Sequence, residues 1–147
     1  MNDVVFSPDG KYVATASNDN TSRLWDAFTG EPILVLNYNA SVNNVVFGPD
    51  GKYVATASND NTASLWDAST GKNITLNHDG SVNNIVFSPD GKYIATASDD
   101  NTAYLWICNT EDLINQASHR LTRNLTPKEW KQYMGNEPYH KTFPNLP

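Results

Sequence analysis

Residues 45–66, VVFGPDGKYVATASNDNTASLW, alternate short apolar runs with clusters of turn-forming residues. Close copies run from Val4 to Trp25 and from Ile85 to Trp106. Phe6, Phe47 and Phe87 stand 41 and 40 residues apart, and Trp25, Trp66 and Trp106 keep the same intervals. A fixed period near 40 marks a repeat architecture. In the middle copy, Val42–Phe47 predicts a first strand with Val42, Val45 and Phe47 as its apolar contacts. Pro49-Asp50-Gly51 predicts a tight turn, since proline presets φ, aspartate bonds the local backbone and glycine accepts positive φ. The next strand, Tyr53–Ser58, is small or apolar on both faces, which suits a strand sandwiched between neighbouring sheets. Asn59-Asp60-Asn61 predicts a turn of residues that tolerate the left-handed region. Thr62–Asp67 follows as a third strand, and Ser69-Thr70-Gly71 turns the chain into an outer strand, Asn73–Asn77. The first copy's outer strand is Pro32–Asn37, where a proline fits an edge.

A four-stranded unit of this size cannot bury both faces alone, so copies must stack. Radial stacking gives an all-β fold, a partial β-propeller with blades at 1–40, 41–80 and 81–108. The copies resemble WD-repeat propellers, with Trp-Asp at 25–26 and 66–67 and Trp106-Ile107 in the third. That resemblance implies a hydrogen-bonded brace of His, Ser/Thr, Asp and Trp in each blade. The matching residues are His78, Ser98, Asp100 and Trp106 in the third copy. The second has Ser58, Asp60 and Trp66, with Tyr38 at the histidine position, and the first has Ser17, Asp19 and Trp25. A buried indole N–H and a buried carboxylate both need partners, which is the physical reason for such a network.

Aligning the copies places Met1-Asn2-Asp3 on Val42-Asn43-Asn44, so the chain starts inside an inner strand. After Trp106 the glycine turn is lost, and the third blade is expected to lack its outer strand. Closed propellers have roughly four to eight blades, so three should leave two apolar faces open. Completion is expected from self-association into six or nine blades or from a missing N-terminal part; a decayed gene remnant is the third reading. Residues 4–27 and 45–68 differ only at Ser7/Gly48, Ser22/Ala63 and Arg23/Ser64, which points to recent duplication.

Residues 109–147 read as a separate extension. Thr110 is placed to cap a helix over 111–121, and Thr126-Pro127-Lys128-Glu129 opens a second that runs to Met134 and stops at Gly135, before an irregular Pro-rich end. This tail resembles the C-terminal extension of cyanobacterial WD-repeat proteins, a bacterial setting in which such repeats often follow a signalling NTPase or caspase-like region.

Charge changes the picture of partners. Residues 1–108 carry 12 acidic and 5 basic side chains, an imbalance that repels phosphate backbones and argues against nucleic acid. The single cysteine, Cys108, excludes an intramolecular disulfide. No apolar run reaches membrane-span length and no signal-peptide core is present, so no membrane and a reduced cytoplasmic setting are expected. No G-x-x-x-x-G-K-[ST] occurs. His119 and His140 lack metal-ligand spacing, and Asp19, Asp60 and Asp100 lie one blade apart, too far for paired acid–base work. No enzyme activity, cofactor or metal is therefore expected.

The family layout puts the loop before each first strand beside the turn after each second strand, on the face where propellers bind partners. That face offers Tyr38, Asn39, Ser41 and Asn43, then Asp79, Ser81 and Asn83, with Asn18, Asn59 and Asp99 from the turns. Tyr38 stands out, because binding hot spots favour Trp, Tyr and Arg. The function expected is a non-catalytic scaffold whose partners are other proteins or copies of itself, a homo-oligomer through the open blade faces. The alternative is a sensor module or fragment of a multidomain signalling NTPase or protease.

Overall fold

The computed structural model describes residues 1–108, which form eleven strands: β1 Asp3–Phe6, β2 Tyr12–Ala16, β3 Thr21–Asp26, β4 Pro32–Asn37, β5 Val42–Phe47, β6 Tyr53–Ser58, β7 Thr62–Asp67, β8 Asn73–Asn77, β9 Val82–Phe87, β10 Tyr93–Ser98 and β11 Ala103–Ile107. They pair antiparallel in chain order as two four-stranded sheets, β1–β4 and β5–β8, and one three-stranded sheet, β9–β11. The strand boundaries expected for the middle copy are those observed. The helices expected over 111–121 and 127–134, and the irregular end, lie outside the described residues.

Turn chemistry sets the hairpins. Gly10, Gly51 and Gly91 take φ near +71°, the region that glycine enters without steric cost. Asp9 Oδ1 accepts from Ser7 Oγ at 2.7 Å and Lys11 N at 3.1 Å, locking the turn from within. At the next hairpin Asn20, Asn61 and Asn101 take positive φ. The aspartate of each Trp-Asp pair shapes the third turn: Asp67 Oδ1 accepts from Ser69 N at 2.9 Å, Ser69 Oγ at 2.6 Å and Thr70 N at 2.9 Å. Asp26 does the same with Phe28 N and Thr29 N. Ile107 has no carboxylate with which to build this turn, and among the described residues the third sheet ends at β11.

The core lies between blades. Ala14, Ala16 and Leu24 on the first blade meet Val42, Val45, Val54 and Trp66 on the second. Ala55, Ala57, Ala63 and Leu65 on the second meet Val82, Ile85 and Ile94 on the third. Each blade thus offers a forward face rich in alanine plus one leucine, and a rear face of branched aliphatics plus tryptophan. A bulge between Val42 and Asn44 brings Val42 and Val45, three residues apart, into the same core. The middle blade is covered on both faces, so β6 is buried along almost its whole length.

Trp66 is fully buried in the first of these cores. Trp66→Ala is expected to destabilise by about 3–5 kcal/mol, the scale of buried aromatic truncations, measured by urea unfolding. A loss below about 0.5 kcal/mol, that of an ordinary surface change, would contradict the packing described.

Candidate functional site

Only the third blade brings all four brace side chains together, and there His78 Nδ1 makes no hydrogen bond among the described residues. Trp106 Nε1 donates to Thr96 Oγ1 at 2.9 Å, and Thr96 Oγ1 lies 3.0 Å from His78 Nε2. His78 Nδ1 faces Asp100 Oδ2 at 3.6 Å, with the imidazole side chain fully buried. Having accepted from the indole, Thr96 has its own hydrogen to give. That fits a His78 whose proton sits on Nδ1, toward Asp100. Tyr104 packs edge-on to His78 with centroids 5.0 Å apart.

The hydroxyl in this chain is Thr96, and not Ser98 as the repeat alignment suggested. The register pairs Ile94 with Trp106, so the indole reaches diagonally to the residue two along on the same face, which is Thr96. Ser98 is too far along and does another job. Its Oγ donates to Gly80 O at 3.0 Å and accepts from Asp100 N at 3.2 Å, tying the loop before β9 to the turn after β10. Gly80 suits that contact, because a Cβ there would sit 2.7 Å from Asp100 N. The same correction applies to Ser58, which bonds Ser41 O at 3.2 Å and Asp60 N at 3.2 Å, and to Ser17, which accepts from Asp19 N at 3.2 Å.

The other two blades carry altered braces. In the first, Trp25 Nε1 donates to Thr15 Oγ1 at 3.0 Å, and Asp19 turns to Arg23 Nη1 at 2.9 Å. In the second, Tyr38 Oη lies 2.7 Å from Thr56 Oγ1, and Thr56 Oγ1 donates to Ser64 O at 3.4 Å. Tyr38 occupies the threonine, and Trp66 Nε1 is left buried without a partner among the described residues. Asp60 Oδ2 accepts from Asn39 N at 3.1 Å instead of facing an imidazole. The half-buried Tyr38 is therefore a brace residue, not the displayed aromatic its loop position suggested. Burial pushes its hydroxyl pKa up, against the opposing bond to Thr56.

The expected loop face does assemble: Asn59 N donates to Ser41 O and Asp99 N to Ser81 O, both at 2.9 Å. Several of its polar side chains are engaged in stitching blades together. Asn2 Nδ2 reaches Asn18 Oδ1 at 2.7 Å, Ser41 Oγ at 3.0 Å and, on the next blade, Val42 O at 2.8 Å. Ser41 Oγ also donates to Asn18 Oδ1 at 2.6 Å. Asn43 Nδ2 repeats this with Asn59 Oδ1 at 2.6 Å and Val82 O at 2.9 Å, and Ser81 Oγ adds a bond to Asn59 O at 3.4 Å. Asn83 bonds Asp99. A second row runs beside it: Asp3 Oδ2 accepts from Asn44 Nδ2 at 2.6 Å and Val45 N at 3.0 Å, and Asn44 Oδ1 accepts from Ile85 N at 3.1 Å. Asn39 and Asp79 are the rim residues left exposed, with side chains that make no hydrogen bond among the described residues. The first-strand asparagines recur at the same repeat position, a signal legible in sequence but without meaning until the next blade's carbonyl was in place.

At the Pro-Asp-Gly end, an open apolar cleft of about 380 Å³ is lined by Val5, Phe6, Val46, Phe47, Val86 and Phe87, with no titratable group. Burial holds the half-buried Cys108 thiol up at about 11, so it is protonated near neutrality. No group of His, Cys, Asp and Glu among the described residues is arranged to hold a metal, and no helix among them is long and apolar enough to cross a membrane.

The family model "WD domain, G-beta repeat" matches residues 1–26, 30–67 and 71–106, well over half of the chain. A curated relative, the "Notchless protein homolog" of Arabidopsis thaliana, is 51% identical over 35 residues. That match covers 24% of this chain and 7% of the relative, so the chain spans a small fraction of that protein's length.

Thr96→Val leaves the Trp106 indole and His78 without their shared partner, and a cost of about 1–3 kcal/mol is expected. The Trp106 indole N–H resonance should shift with it; an unchanged resonance and stability would exclude Thr96 from the brace. Turn carboxylates set the acid limit. The Thr102 hydroxyl holds Asp100 down at about 2, the Ser69 hydroxyl holds Asp67 at about 2, and Thr21 holds Asp19 well below the usual range. Carboxyls depressed in the folded state contribute stability above the ordinary pKa near 4 and lose it as pH falls toward 2. The urea midpoint should therefore drop between pH 4 and pH 2, and Asp67→Asn should shallow that drop.

Proposed function

The chain belongs to the WD40 repeat family, and on that premise we propose that it is a non-catalytic protein–protein interaction scaffold whose open blade faces take up further blades. The family supports the scaffold role in general terms. The observation that carries the finer reading is the exposure of Val4 and Leu105, large apolar side chains whose repeat counterparts are buried between blades. Exposed apolar surface of this kind marks a contact face. The rim adds a smaller polar surface, where Asn39 and Asp79 are free to receive a partner while Asn18, Ser41, Asn43, Asn59 and Ser81 hold the blades in register and Asn83 and Asp99 bond each other within the third blade.

A photo-crosslinking amino acid at position 105, with the chain expressed in cells, should give protein adducts on irradiation. The same group at Phe28, 97% exposed on a turn away from the blade faces, should not. Absence of adducts at both 105 and 4 would remove the blade faces as interaction surfaces, whatever the identity of the partner.

A further inference from the structure

Both blade junctions among the described residues are built from the same two faces, and among those residues one of each is left open. The forward face presents Ala14, Ala16 and Leu24 on the first blade and Ala55, Ala57 and Leu65 on the second. The rear face that covers them presents Val42 and Val45, then Val82 and Ile85. On the third blade the forward positions are Ala95, Ala97 and Leu105, and Leu105 is 68% exposed where Leu24 is 1% and Leu65 is 7%. On the first blade the rear positions are Met1 and Val4, 68% and 60% exposed where Val42, Val82 and Ile85 are 0% and Val45 is 1%.

Polar register repeats the match. Asn2 and Asn43 each donate to a carbonyl of the next blade, Val42 O and Val82 O, while Asn83 has only Asp99 among the described residues. The carbonyl at the corresponding position of the first blade is that of Met1. Asp3 and Asn44 each accept an amide of the next blade, Val45 N and Ile85 N, and the third member of that series is the exposed Asn84. Its counterpart amide, Val4 N, turns back to Asp3 Oδ1 at 2.9 Å. The open forward face thus lacks what the open rear face carries.

We infer that the occupant of these faces is a second copy of this chain, seated head to tail, with Ala95, Ala97 and Leu105 of one copy against Met1 and Val4 of the other. The inference rests on the scaffold reading above and names its partner. A head-to-tail contact repeats until its rotation closes. Two copies of three blades make six, within the range of roughly four to eight for closed propellers, whereas three copies make nine. The closed form is therefore a twofold dimer with two identical new junctions, each continuing the chain's own. The uncharged alanine, leucine, methionine and valine side chains let two acidic chains meet there without placing like charges in the core, and Asp3 would face the amide of Asn84.

The test is the solution mass of the full chain by sedimentation, with single charges on either face. The wild type should be a dimer of the 16.3 kDa chain. Val4→Asp and Leu105→Asp should each raise the dimer Kd on the order of 100-fold or more, the effect of losing a central anchor, while Phe28→Asp leaves it unchanged. An equimolar mixture of the two variants should recover a one-to-one complex, because the Leu105 face of the Val4→Asp chain still meets the Val4 face of the other. A like-to-like contact would not be rescued by mixing. Should either variant fail to fold, Val4→Cys with Leu105→Cys in a Cys108→Ser background takes its place. A short bismaleimide should then give covalent dimers and no longer ladder. A wild-type monomer with cooperative unfolding, a trimer, or variants that dimerise normally would overturn the inference. Adducts at position 105 to the chain's own residues 109–147 or to a different protein would overturn it too; the latter would leave the scaffold reading standing.

Discussion

A small antiparallel sheet with apolar side chains on both faces is stable only when each face is covered, and everything else in residues 1–108 follows from how that is achieved. The solution is asymmetric. Alanines on the forward face make a shallow surface, and valine, isoleucine and tryptophan on the rear face fill it. Burial at about 25 cal/mol per Å² of apolar surface makes this contact the main favourable term. The middle blade, covered twice, shows the result in the near-continuous burial of β6, while β10 of the last blade is open at Ala97.

Packing of this kind does not fix rotation of one sheet over the next, and the first-strand asparagines do. Asn2 and Asn43 each bridge a turn of their own blade and a carbonyl of the following one, so sliding by one residue would break bonds at both ends. Asp3 and Asn44 add a second row nearer the core. The loop face is consequently a seam as much as a surface. Several of its polar residues serve the junction first, while the side chains of Asn39 and Asp79 make no hydrogen bond among the described residues and Asn83 and Asp99 bond only each other.

The brace shows what divergence tolerates. In the third blade four side chains from two strands and two loops form one chain of contacts. In the second blade Tyr38 replaces the imidazole and holds the threonine, leaving the indole N–H of the fully buried Trp66 unpaired among the described residues. A lost hydrogen bond of this type costs about 1–3 kcal/mol, a sum that a tryptophan packed against Val42, Val45 and Leu24 outweighs.

Periodicity alone determined the strands, the turns and the number of blades, because Pro-Asp-Gly and the Asn-rich turns act locally and the alternation of side chains follows from the pleat. The Trp-Asp pairs and their absence at Ile107 were equally legible, since that aspartate works within its own turn. Three matters only the tertiary structure decided. Thr96 and not Ser98 completes the brace, because cross-strand register sets which hydroxyl the indole can reach. Tyr38 is turned inward, because the partner that draws it in, Thr56, stands 18 residues away on another sheet. The asparagines of the inner strands look like solvated loop residues until the next blade brings its backbone within 3 Å of them. Local rules fix a repeat, whereas the contacts between repeats depend on atoms about 40 residues apart, and folding alone brings those together.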